Sequence, residues 1–320
     1  MNQGTMIHYD PRVIEEAVFL AQRGRRHSGE HEAERNRIYE VTDAQERENR
    51  FNELNRRWFA RLGLGKTIEQ TLKEQSIVTA QVEDYFIVYA AQSKEEGAEL
   101  FVATDKRVDG YARRTLRLLL RPESLLDAAS LITFLRHELF HIADMLDPAF
   151  GYEPTLPKAE GGPTYDTLIT NRYRVLWDVT INGRMARRGW LAAPAREQQS
   201  SDFLHAFPML AAPAQQLFNR FYDAEQPKHA ELAAFALNPR AASGSLIDKS
   251  APGTQCPLCK FPTHSFEPEP NNLDAEILTA IREDFSNWQP ALGLCTQCAE
   301  LYRSRRLSVA ALRLIPGWSS

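Results

Sequence analysis

Between residues 82 and 121 the apolar positions gather in short runs: VEDYFIVYAA at 82–91, AELFVAT at 98–104 and RTLRLLLR at 114–121. Runs of this length, rich in β-branched and aromatic residues and separated by segments such as TDKRVDG, predict three strands. Elsewhere the apolar period is helical. Asp10 before Pro11 is an N-cap followed by proline at the first helical position, which predicts a helix to about Arg26. Residues 29–62 are rich in Glu, Arg and Asn, with apolar positions only at intervals, and read as two solvated helices, the second ending at Gly63. Pro122 ends the third strand, Ser124 is positioned to cap a long helix from about Leu125 to Leu146, and Pro148 closes that helix. A loop rich in proline and glycine covers 148–165. A second long helix is expected from about Thr167 to Arg188, stopped by Gly189. Three shorter helices then fit 191–237, punctuated by Pro194, Pro208, Pro213 and Pro227.

These elements predict an α+β protein, mainly helical with a small β-sheet. The expected organisation is an N-terminal helical region (1–75), a core (76–190), a helical extension (191–237), a polar linker (238–254) and a C-terminal cysteine module (255–320). One motif drops out on context. Ala60 to Thr67 spells A-x-x-x-x-G-K-T, but a phosphate-binding loop needs a strand before it, and RFNELNRRWFARL is helical in pattern. The glycines are read instead as a helix end and the start of the next helix.

Composition narrows the class. The chain has 320 residues, 43% hydrophobic and 25% charged, enough for a sizeable core. A net charge of −4 gives no general attraction to nucleic acid or anionic membranes. The N-terminus lacks a basic stretch followed by an apolar one, and no run approaches the roughly 18 apolar residues of a spanning helix, so a soluble cytoplasmic protein is expected. In a reducing compartment, cysteines paired as two CxxC sequences suggest metal binding rather than disulfides.

The chemistry concentrates in FLRHELFHIADMLD, residues 134–147. Residues four apart on a helix lie about 40° apart on one face, so His137 and His141 can point two imidazoles at one ion. Glu138 between them can reach a water on that ion. This is H-E-x-x-H, the arrangement of zinc hydrolases, with Glu138 as general base. A catalytic zinc needs a third protein ligand and keeps its fourth position open. Asp178 in VLWDVTI is the preferred candidate, because a carboxylate among apolar residues is costly unless it is paired or binds a metal. Its alternative is an ion pair with Arg174 or Arg184. Asp147, Asp144, Glu153 and Glu160 are the rival ligands. Asp144 lies one turn beyond His141 on the same face and suits a carboxylate that orients a ligating histidine. Tyr152, Tyr165, Tyr173 and Arg174 are candidate oxyanion donors.

Cys256, Cys259, Cys295 and Cys298 form two knuckles that complete one closed, all-thiolate site, which implies a second, structural zinc. LDAEILTAIREDF between the pairs reads as a helical insertion in a zinc ribbon, and His264 as a surface residue. The following ELYRSRRLSVAALRL carries Arg303, Arg305, Arg306 and Arg313. A solvated helix face is favoured there over a nucleic-acid contact.

HELFH followed by WDVTING resembles a family of bacterial metallopeptidases often found beside von Willebrand A-type domains, whose motif is followed by a helix with a pattern like A-D-x-x-I-N. Asp178, Ile181 and Asn182 match that spacing. The order of strands, motif helix and C-terminal zinc ribbon also resembles SprT-like metallopeptidases. Those carry a third histidine after the motif, whereas the next histidine here is His205. The resemblance implies a zincin-like core, a zinc-dependent peptidase activity and a peptide or protein substrate. A zinc-stabilised adaptor, or a nucleic-acid-associated protein of the SprT kind, is the alternative.

Overall fold

The sheet is built from the expected strands and one more. In the computed structural model, which describes residues 6–23, 28–106, 112–157, 163–192, 194–210, 213–239, 254–263 and 265–313, Met6–Tyr9 forms β1, Asp84–Tyr89 β2, Gly97–Lys106 β3 and Ala112–Leu120 β4. Their order is β1-β2-β4-β3. β1 and β4 flank β2 in parallel, and β3 returns antiparallel to β4 as an outer strand. β1 was not anticipated. Its four residues, MIHY, show too little alternation to stand out, and they become a strand by pairing with a partner about eighty residues away in sequence.

One face of the sheet is buried through Tyr85, Ile87, Leu116, Leu118 and Leu120. Four helices belong to the same core: α1 (Pro11–Gln22), α3 (Ala44–Leu62), α4 (Lys66–Glu74) and α6 (Ala128–Leu146). Between these lie α2 (Ser28–Tyr39) and the short α5 (Ser76–Gln81). Asp10 caps α1 as expected, accepting from the Arg12 amide at 2.9 Å. α3 ends on Gly63 at φ 68°, and α4 follows at Lys66, so the glycine–lysine sequence is a helix end and restart. α3 is not merely solvated, since Leu54, Trp58 and Phe59 are buried. The cap of the motif helix also differs. Pro122–Leu126 is a 3-10 turn, and Asp127, not Ser124, accepts the Ser130 amide at 3.1 Å. The Ser124 hydroxyl instead donates to Glu96 at 2.5 Å. α6 is tied to α4 by a two-pronged Arg136–Glu74 pair at 2.7 and 2.8 Å.

α7 (Pro163–Arg187) is the second long helix, followed by α8 (Pro194–Ala206), α9 (Ala214–Tyr222) and α10 (His229–Leu237). The chain divides into two compact units that do not follow its linear order. Unit one comprises Met1–Leu156, Trp177–Glu197 and Tyr222–Leu232. Within it, Gly183 of α7 takes the Tyr222 carbonyl so closely that a Cβ would lie 1.7 Å from the oxygen, which leaves room for no side chain. Unit two comprises Pro157–Leu176, Gln198–Phe221 and Ala233–Ser320. It holds an aromatic cluster of Phe203, Phe207, Phe218, Phe221 and Phe235, with ring centroids 4.8–5.8 Å apart along successive pairs. Its cysteine module has its own small core around Ile277, Ile281, Trp288 and Leu294. A two-stranded pairing of β5 (Thr254–Gln255) and β6 (Pro262–Thr263) belongs to that module, with α11 (Ala275–Asp284) and α12 (Thr296–Arg313). Most of the linker 238–254 lies outside the described residues. Among the described residues no helix is long and apolar enough to cross a membrane.

Candidate metal centre

α6 presents its motif as helical periodicity requires. The rings of His137 and His141 stand side by side, centroids 4.9 Å apart at 74°. α7 brings Asp178 to them: its Oδ1 lies 3.0 Å from His141 Nε2 and 3.6 Å from His137 Nε2. Two ligands at 2.0–2.1 Å from a tetrahedral ion are about 3.4 Å apart. Those two separations bracket that value and all three donor atoms lie within 4.8 Å of one another, a set compatible with a single ion such as zinc, and the three side chains are partly open to solvent.

Glu138 sits at the side of this group. Its Oε2 accepts the Ala98 amide of β3 at 3.1 Å, and its Oε1 lies 3.3 Å from His137 Nδ1. Burial pushes the Glu138 carboxyl up, but the His137 hydrogen bond, both imidazoles and the Ala98 amide outweigh it and hold the group below its ordinary value. Burial likewise lowers His137, and here too it loses. The hydrogen bond to Glu138 and the charges of Asp178 and Glu138 leave its value raised. Glu138 is thus an ionised acceptor at neutral pH, the state a base needs.

Asp144 is placed differently from the expectation that it orients a histidine. It is 4% exposed, and its carboxylate is filled by Arg184, at 2.7 and 2.6 Å, and by the Trp177 indole at 2.7 Å. Trp177 packs its edge on His141, centroids 4.5 Å apart at 81°. Asp144 therefore touches the histidine only through Trp177, the residue before Asp178, and it fixes α7 against α6. Arg184, one of the alternative partners for Asp178, is taken by Asp144. Neither Arg184 nor Trp177 was singled out from the sequence as a support of this site. The readable signal was the i, i+7 spacing of Trp177 and Arg184, two donors on one face of α7, which means little until that face is known to meet Asp144.

The rival ligands stand elsewhere. Asp147 ends α6 and accepts the Ala149 amide at 2.8 Å. Glu153 is exposed and, like Asp147 and Asp144, does not belong to the metal-capable group. Glu160 and the Tyr165 side chain lie outside the described residues. Tyr152 stands 5.6 Å from Trp177, ring to ring, whereas Tyr173 is buried in unit two.

The four cysteines also converge. Cys256 Sγ is 3.8 Å from Cys298 Sγ, and Cys259 Sγ is 3.9 Å from Cys295 Sγ. Zinc–sulfur bonds of 2.3 Å at tetrahedral angles put sulfurs about 3.8 Å apart. Burial raises Cys256, but amides from Cys295, Cys259 and Leu258 outweigh it and bring its pKa down to about 7. Cys298 is pushed up by burial and by its neighbouring thiols. Arg303 is paired with Glu267 and Glu300 at 3.0 and 2.8 Å. The side chains of Arg305, Arg306 and Arg313, and all of His264, lie outside the described residues.

Compared with protein-family models, curated proteins and solved structures, the chain matches none of them.

Proposed function

We propose that this chain is a zinc-dependent metallopeptidase of zincin-like type with a zinc ribbon as its structural module. One observation carries the reading: two histidines of an H-E-x-x-H helix share one Asp178 oxygen at 3.0 and 3.6 Å, with Glu138 beside them. A purely structural site would have no use for that glutamate. His137, His141 and Asp178 would hold the zinc, which when bound supplies Lewis acidity and the activation of water near neutral pH. Glu138 takes the proton of the attacking water on its carboxylate and returns it to the departing amine. The Ala98 amide and His137 keep that carboxylate ionised and aimed. The outer strand β3 passes Glu138, and an extended substrate peptide would lie along that strand. The second zinc belongs with Cys256, Cys259, Cys295 and Cys298, where no position is left for substrate.

The test is cleavage of a broad peptide library by the zinc-loaded chain and by Glu138→Gln. Glutamine keeps the shape and cannot take the proton. The variant should retain its zinc and lose cleavage by about 100- to 10,000-fold. No cleavage by the parent protein, or an equal rate in the variant, would leave the adaptor reading in its place.

A further inference from the structure

A cavity of about 350 Å³ lies along the first half of α6, on the N-terminal side of the metal centre. Its size is within the range of about 300–1,000 Å³ typical of ligand sites. Two of its lining residues tie it to Glu138. Phe134 stands three residues before His137 and four before Glu138, on the same stretch of helix surface. Glu96 leads directly into Gly97 and Ala98 of β3. A Cβ on Gly97 would lie 3.6 Å from Glu138 Oε2, and the Ala98 amide donates to that same oxygen. A peptide lying along β3 with its carbonyl at the metal group would carry a neighbouring side chain to this opening.

The charges around the cavity can each be assigned. Glu96 is buried and its carboxylate is filled, by the Arg121 amide at 3.0 Å, the Arg121 guanidinium at 2.9 Å and the Ser124 hydroxyl. Glu96 and Arg121 therefore cancel. Asp127 accepts the Ser130 amide and hydroxyl at 3.1 and 2.7 Å. The helix start it caps contributes roughly half a positive charge, which offsets Asp127 only in part. Glu123 is exposed and feels the Arg121 charge, but it forms no hydrogen bond or ion pair among the described residues. The lining thus keeps a net charge of roughly minus one and a half. Leu131 and Phe134 supply the apolar part of the wall. An apolar wall beside a negative rim suits a side chain with a long aliphatic stem and a cationic head. An acidic side chain would be repelled there, and an uncharged one would gain nothing from Glu123.

We propose that this cavity receives a lysine or arginine side chain of the substrate peptide, its stem along Leu131 and Phe134 and its head at Glu123 and Asp127. The proposal rests on the peptidase reading and names the substrate class. The test uses peptides that differ only in arginine, lysine, glutamine or glutamate at the positions flanking the cleaved bond. The zinc-loaded full chain should cleave the arginine and lysine peptides with kcat/KM about five-fold or more above the glutamine peptide, the scale of partly exposed ion pairs. That ratio should shrink as salt is added. It should fall toward one when Glu123→Gln is combined with Asp127→Asn, since asparagine still caps the helix. Glu123→Lys should turn the preference toward glutamate. The same peptides are titrated against zinc-loaded Glu138→Gln, where affinity should follow the same order. Equal cleavage of the cationic and glutamine peptides, or a preference that the double variant leaves unchanged, would overturn this assignment while the peptidase reading stands. Cleavage of no peptide would remove the peptidase reading, and equal affinities in Glu138→Gln would overturn the cavity's assignment on their own.

Discussion

The two metal-capable groups differ in how the chain assembles them. The cysteines come from two tight knuckles around one small core. Three of the four are buried, and amides point at their sulfurs: the Cys295 amide donates to Cys256 Sγ at 3.3 Å and the Cys298 amide to Cys295 Sγ at 3.4 Å. Four donors close a tetrahedron and leave no room for chemistry. The histidine group has three donors from two helices, 37 residues apart between His141 and Asp178, all partly open, with a carboxylate standing free of the donor set. The first arrangement suits holding a fold together. The second suits presenting an ion to something else. Number of donors and closure, rather than the presence of donors, distinguish the two groups.

The sharpest way to break this contrast is at the cysteines. Cys298→Ser should unfold the module, because structural zinc in small domains is worth about 10–16 kcal/mol of folding free energy. Zinc per chain should fall from two to one, and the region around Ile281 and Trp288 should lose its protection in amide exchange. A variant that keeps both ions and the protection would make the cysteine site something other than structural.

Metal removal should next separate the sites by strength. A chelator should take zinc from the histidine group first, since only three partly exposed side chains would hold it there. Asp178→Ala should weaken that group further and leave the four-cysteine ion untouched, as read by metal analysis. Equal resistance of both sites, or a histidine site indifferent to Asp178→Ala, would remove Asp178 from the donor set. Asp147→Ala should do little, because that carboxylate serves the end of α6.

A smaller effect is expected from the support. Asp144→Ala leaves the partly buried Arg184 without its carboxylate, a loss below the roughly 3–5 kcal/mol typical of breaking a fully buried pair. The melting temperature should therefore drop, and affinity for zinc at the histidines should fall as Trp177 loosens against His141. Loss of stability with unchanged zinc affinity would confine Asp144 to packing.

The smallest effect concerns pH in the metal-free protein. His137 is raised by its carboxylate neighbours, so its contribution is complete below the ordinary histidine value of about 6.5 and disappears as pH rises through the folded value. Glu138 is depressed, so its contribution holds above the ordinary value of about 4.3 and is lost as pH falls through the folded one. The metal-free form should thus be most stable in the mildly acidic range and lose stability toward alkaline pH. Zinc should reverse the alkaline limb, because it requires His137 neutral. Chemical denaturation across pH, with and without zinc, reads this directly. An alkaline limb that is the same in both forms would detach His137 from the site.

What the sequence determined by itself is what depends on local geometry. The spacing of His137, Glu138 and His141 becomes a common face through the helical period, whatever surrounds it. Two CxxC knuckles likewise carry most of their geometry within a few residues. The Asp10–Pro11 start, the Gly63 end and three of the strands rest on similarly short-range preferences. Tertiary structure decided everything that needs two distant segments to meet. Asp144 and Asp178 are both acids with apolar neighbours on long helices, and local sequence ranks them as ligands without saying what either one meets. The crossing of α6 and α7 sends one to Arg184 and Trp177 and the other to the histidines. β1 exists because β2 lies beside it, and the cap of α6 fell to Asp127 because Glu96 holds Ser124. His31, one polar residue in a polar helix, could be seen as buried only once α2 had settled on α3. Periodicity says which face a residue occupies, but what that face meets is settled by packing among residues far apart in the chain.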